Sequence, residues 1–145
     1  MESLERSWAP HPPCCQGRAM NCPPEDTEQE LVIRWATGQL DTWPELVLLH
    51  HIPNGGARSK RTAAQLKRMG VKPGVPDLCL PVARGGWHGL YVELKRRDGG
   101  RVSSEQRAWL AHLTAQGYRA VVAEGHEQAI ALIRDYLASD PEGAA

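Results

Sequence analysis

No apolar run in the 145-residue sequence approaches the length of a membrane span, which excludes a transmembrane helix. The first residues, MESLERSWAPHPPCC, lack the apolar core of a secretory leader, so the expected location is the cytoplasm. There is no excess of either charge: 17 Lys and Arg balance 17 Asp and Glu. A general attraction to polyanions is thereby excluded, and local patches carry the information instead. Phenylalanine is absent and aromatics make up only 6 %, yet the length suffices for one domain with one core. Of the four cysteines, Cys14, Cys15 and Cys22 lie in a Pro-rich head near His11, and no C-x-x-C pair supports a zinc site there. Reduced thiols are expected, and Cys79, between Leu78 and Leu80, reads as structural. The chain has no P-loop and no nucleophile elbow, which removes those two routes to phosphate and acyl chemistry.

What is present is an alternation of helix and strand signals. Residues 1–24 show no periodicity and read as a head, 25–138 as the domain and 139–145 as a tail. Thr27 and Glu30 have capping-box spacing at the start of a first helix whose apolar side includes Leu31 and Trp35. ELVLLHHIP (45–53) reads as a β-run closed by PNGG, and 58–70 as a basic helix stopped by Gly70. GVPDLCLPV (74–82) and LYVELK (90–95) read as strands joined through a Gly-rich turn. Ser103 and Gln106 make a second capping box, with Trp109, Leu110 and Leu113 facing inward. A strand (118–124) and an amphipathic helix (126–137) complete the domain. The order predicts an α/β fold, a mixed central sheet with helices on its faces.

One stretch conflicts with simple burial. In GLYVELKRRDGG, Glu93 and Lys95 point to one face of a strand while Val92 and Leu94 point to the other. An edge strand with a solvated face would account for this pair. A second account starts from Asp77, at the head of the preceding strand. Paired through the turn, Asp77 and Glu93 approach, and two carboxylates repel unless a cation lies between them. Hard oxygen ligands suit Mg²⁺ or Mn²⁺. Lys95 would then stand beside the cation, placed to orient a water or offset charge on a phosphate. From Gly55 to Pro76 there is no acid, while Arg58, Lys60, Arg61, Lys67, Arg68 and Lys72 are basic, and Arg96, Arg97 and Arg101 extend the patch. A solvated helix face and a DNA-contact face both fit this pattern; beside a metal cradle, DNA contact is the favoured reading. His50 and His51 read as surface or core residues, His112 and His126 as helix-surface residues, and His88 as a neighbour of the site without an assigned role. Trp35 and Trp109 read as core, and Trp87 as an exposed turn residue able to touch DNA or a second subunit.

The pairing GVPD…VELK resembles the PD-(D/E)xK nuclease superfamily. The wider stretch from IPNGG through SSEQRAWLAHLTAQGY resembles the VRR-NUC domain, in its small stand-alone form from phages and prophages. The similarity runs over about residues 25–137. It implies a restriction-endonuclease-like core in a bacterial or phage-infected cytoplasm. It also implies that Asp77 and Glu93 bind metal, that Lys95 is the catalytic lysine, and that Gln106 shapes the site from the helix after the E-x-K strand. An acid on the first helix is implied as a further ligand, either Glu25 or Glu28. Asn54, Gly55 and Gly56 match the family's PNGG turn, with Asn54 on the DNA side. The implied activity is Mg²⁺- or Mn²⁺-dependent cleavage of branched DNA, such as four-way junctions, by a homodimer. A binding module that keeps the fold without cutting is the alternative of a different class.

Overall fold

A computed structural model describes residues 24–54 and 60–141. The Cys-rich head, Gly55, Gly56 and Arg58 lie outside the described residues, as does the side chain of Lys60.

Helix α1 (Glu25–Gly38) starts at Pro24, whose carbonyl accepts from the Glu28 N–H at 3.1 Å. Glu25, Asp26 and Glu28 fill its first turn and complement the positive end of the helix dipole. The expected Thr27–Glu30 box therefore falls inside the helix, which has no side-chain cap. Val32 and Ala36, four residues apart, form its buried stripe. The expected β-run over 45–53 is also corrected. Pro44 presets a helical φ, and Pro44–Leu48 wind into a 3-10 turn that buries only Leu46. Val47 stays 72 % exposed, and only His50–His51 remain as strand β1. Helix α2 (Lys60–Arg68) ends in a Schellman arrangement, with Gly70 N–H on the Lys67 carbonyl and Val71 N–H on the Leu66 carbonyl.

Strands β2 (Leu78–Leu80) and β3 (Leu90–Lys95) pair antiparallel, with Leu78 opposite Val92 and Leu80 opposite Leu90. Helix α3 (Ser104–Ala115) then carries the chain to β4 (Arg119–Glu124), which runs parallel to β3, and helix α4 (Gly125–Leu137) follows directly. The sheet order is β1-β2-β3-β4, mixed as expected, with β3 inside. Helices α1 and α4 pack on each other and on β3, and α3 packs along β4.

Leu90, Val92 and Leu94, the even positions of β3, join Leu78, Leu80, Val32, Ala129 and Ile133 in one core. Each such fully buried aliphatic contributes about 1.5–3 kcal/mol. Tyr136 is buried there too, its hydroxyl donating to the Val82 carbonyl at 2.6 Å. Trp35 and Trp87 are half-buried against this core, so Trp87 is a packing residue rather than an exposed one. Trp109 is not core: no residue of α3 is fully buried, because the helix covers only the outer part of the sheet. Among the described residues no helix is long and apolar enough to cross a membrane.

Candidate active site

The antiparallel register fixes the position of Asp77. Leu78 faces Val92, so the residue before it comes level with Glu93. The Asp77 Oδ2 accepts the Leu94 N–H at 2.8 Å, which ties the carboxylate to the strand that bears Glu93. From behind, His51 Nδ1 donates to the Asp77 carbonyl at 2.8 Å, and the Ile52 N–H donates to that same oxygen at 2.8 Å. Asp77 is thus held at both its main chain and its side chain.

Glu93 and Lys95 are both buried, although they share the odd-numbered face of β3. A solvated edge does not describe them, because strands flank β3 on both sides and α3 reaches over this face. Gln106 Nε2 donates to Glu93 Oε1 at 2.5 Å, and Lys95 Nζ lies 2.7 Å from that oxygen. Gln106 does a second job: its Oε1 accepts the Ser103 N–H at 2.8 Å while Ser103 Oγ accepts the Gln106 N–H, closing the predicted capping box. The side chain that helps cap α3 is the one that orients Glu93.

Glu25, the first residue of α1, completes the group. One carboxylate oxygen from each of Glu25, Asp77 and Glu93 lies within 4.8 Å of the others, and Lys95 Nζ stands 3.6 Å from Glu25. Burial pushes the Glu93 carboxyl up to about 7; the Lys95 contact opposes this, and the charges of Asp77 and Glu25 add to it. Burial also raises Asp77, against the pull of the Leu94 N–H and Lys95. For Lys95, burial acts downward, but the Glu93 contact and the two other carboxylates outweigh it and hold the ammonium above its ordinary value. Asp77 and Glu93 resist ionisation, first through burial, and the three crowded carboxyl groups concentrate negative potential at one point. Glu93 Oε2 is buried and has no hydrogen-bond partner. A hard divalent cation fits this donor set: three converging carboxylates, one of which, Glu93, carries a buried oxygen without a hydrogen-bond partner.

Glu28 is elsewhere. It is fully buried, and its Oε2 accepts the His126 N–H at 2.8 Å and takes the His126 ring Nδ1 at 2.5 Å. Its Oε1 pairs with Arg97 Nε at 3.2 Å, and Arg97 Nη1 pairs with Glu127 at 3.2 Å. Burial alone would raise the Glu28 carboxyl, but the His126 amide and ring and the Arg97 guanidinium outweigh it and hold it below its ordinary value. Between the two first-helix acids, geometry brings Glu25 to the cluster and leaves Glu28 locking α1 to the start of α4. Gly125 makes room for this lock: a Cβ there would come within 2.5 Å of Arg97 Nε, and its φ of +80° suits glycine. Arg97 and His126, read from sequence as a DNA contact and a helix-surface residue, are instead spent inward on Glu28. Nothing in the sequence pairs residues so far apart; the only signal was an acid at the second i, i+3 position of an already acidic turn.

The basic surface is partly as expected. Arg61, Lys67, Arg68 and Lys72 are exposed along and after α2. Arg96 is exposed and pairs with Asp98 at 2.7 Å. Asn54 is half-buried: its Nδ2 donates to the Val75 carbonyl at 2.9 Å and fastens its own segment to the one leading into Asp77.

A family model described as the VRR-NUC domain matches residues 23–127. A solved structure named "VRR_NUC domain protein" is 35% identical to this chain, with a TM-score of 0.73, covering 86% of this chain and 97% of that one. No curated protein matches the chain. The match implies a nuclease of the PD-(D/E)xK type and DNA as its substrate. With a family model over most of its length and a neighbour that shares its fold, the chain belongs to the VRR-NUC domain family.

Proposed function

We propose that the protein is a divalent-metal-dependent endonuclease that hydrolyses phosphodiester bonds in branched DNA, four-way junctions among them. The observation that carries this reading is the convergence of Glu25, Asp77 and Glu93 with Lys95 beside them. When bound there, Mg²⁺ or Mn²⁺ supplies Lewis-acid polarisation of the phosphate and a more acidic water. The chain's own residues do the rest. Asp77, fixed by the Leu94 N–H, and Glu93, oriented by Gln106, present oxygens in a set geometry. Lys95 positions the attacking water and offsets the negative charge that grows on the phosphate. Glu93 assists removal of the water's proton. Arg61, Lys67, Arg68 and Lys72 offer fixed cations to the backbone, giving salt-sensitive and sequence-blind affinity. The choice of branched DNA rests on the family resemblance, and a homodimer would match the two-fold symmetry of a junction.

The test is cleavage of labelled single strand, duplex, flap, splayed arm and four-way junction with Mg²⁺, Mn²⁺ or EDTA. Metal-dependent cutting that favours the junction is the expected result. Junction binding without any cutting would move the assignment to a silent binding module.

Metal uptake should release protons. Glu93 titrates at about 7 without metal and must lose its proton to become a ligand. Mn²⁺ affinity therefore rises as pH climbs from 6, by up to roughly tenfold per unit, and levels off above 8. The raised value also means that the metal-free fold loses stability as pH rises from the ordinary carboxylate range through 7. Calorimetry in two buffers of different ionisation enthalpy reads the proton count. An affinity flat between pH 6 and 8 would contradict this account of Glu93.

A further inference from the structure

Beside the carboxylate cluster lies an open, mainly apolar groove that cleavage chemistry does not use. Ile52, Val71 and Val75 line it with Trp109, and Lys72 stands at its edge. Trp109 donates its only polar hydrogen to the Pro73 carbonyl at 3.0 Å, so what it has left for a ligand is ring surface. Two segments tie the groove to the acids. Val75 precedes Asp77 by two residues, at most about 7 Å of chain. Trp109 lies one turn after Gln106 on α3, and Gln106 holds Glu93. Gly74 seats this segment on α3, since a Cβ there would come within 2.6 Å of the Glu105 backbone.

We propose that the groove takes an unstacked nucleobase of the strand being cut, next to the scissile phosphate. The inference rests on the nuclease reading and deepens it: the nucleotide at the cut is unstacked, as a branch point permits. An apolar slot with an aromatic wall receives any base by its π-face, without reading sequence. Charge selects the occupant. Lys72 lines the slot, and exposed Lys67 and Arg68 lie just before its Gly70–Val71 wall in a stretch with no acid between residues 55 and 76, so these three cations outnumber Glu105, the acid beside Gly74. Met69, 71 % exposed, and Val71 sit among these cations. A second copy seated symmetrically would bring this positive rim against itself, whereas a nucleotide brings phosphate to the cations and a base to the slot. A base inside a continuous duplex must first be unstacked, which costs least at a branch point where stacking is already interrupted, so branched DNA is bound in preference to continuous duplex.

The test is equilibrium binding of splayed-arm DNA in Ca²⁺, followed by fluorescence anisotropy, with one abasic site stepped along the unpaired strand. In the wild type, one position weakens binding by roughly 5- to 100-fold when its base is removed, and its neighbours by about twofold or less. Trp109→Ala binds intact DNA as weakly as the wild type binds the abasic DNA, and the abasic site adds nothing further. Val71→Asp, at a half-exposed position where folding is tolerant, gives the same loss of positional effect. Equal penalties at every position, or a penalty that persists in both variants, would overturn the proposal while leaving the nuclease reading intact. A change of oligomeric state in Val71→Asp with the positional penalty unchanged assigns the groove to a second copy and overturns it too. Failure of the wild type to bind any of these DNAs sinks the nuclease reading and the groove together.

Discussion

Lys95→Ala loses cleavage by roughly 100- to 1,000-fold at saturating Mg²⁺, the scale on which removing one pre-placed charge stabiliser acts. It does so without losing metal. Lys95 lies 2.7 Å from Glu93 and 3.6 Å from Glu25, so in the metal-free protein it neutralises the oxygens that a cation would take. Removing it makes the cluster more negative, and Mn²⁺ affinity at pH 8 stays equal to the wild type or rises. Asp77→Ala behaves differently. It removes a ligand and the acceptor of the Leu94 N–H, and both metal affinity and cleavage fall. Calorimetric Mn²⁺ binding measured beside junction cleavage separates the two variants. If Lys95→Ala lost metal in proportion to activity, Lys95 would be holding the site together rather than acting on the phosphate.

Glu28→Ala costs about 3–5 kcal/mol of folding stability, the range for breaking one partner out of a buried ion pair. The Arg97 guanidinium loses its buried counter-charge and the His126 amide loses its acceptor. Glu28→Gln keeps the shape and one acceptor oxygen but sets an amide against Arg97, so it costs less. The pH dependence has a definite sign. The Glu28 carboxyl is held below its ordinary value, so its stabilisation is present above the unfolded carboxylate pKa and fades as pH falls through the depressed one. Urea unfolding at pH 7 should therefore show a large gap between wild type and Glu28→Gln, and the gap should close at acid pH. A gap that widened on acidification would contradict this role. Because α1 carries Glu25 one turn before Glu28, the same variants weaken metal binding.

How much of this was legible depended on the range of the interactions. Local patterns read well where chain and packing agree: the Ser103–Gln106 box, the even positions of β3 and the pairing of β2 with β3 through a turn are all present. The run 45–53 failed because apolar composition does not separate a strand from a 3-10 turn, and Pro44 decided for the turn. Thr27 failed as a cap because Pro24 starts the helix earlier, and that shift makes Glu25 its first residue. The choice between Glu25 and Glu28 stayed open because it depends on partners 69 and 98 residues beyond Glu28, Arg97 and His126. For the same reason, Arg97 looked free in sequence as part of a basic run and is committed in the fold.

Gln106 joins two functions that are usually separate, a helix cap and a contact to a reactive carboxylate. The opening of α3's first turn and the release of Glu93 are consequently one event. Such end-fraying is an equilibrium of its own, far below global unfolding in free energy. The apparent affinity of the centre for its cation then scales with the fraction of molecules whose helix end is closed. Temperature, denaturant well below the unfolding midpoint, or a neighbour leaning on Ser103 would each tune turnover through that fraction, in a protein whose core stays unchanged.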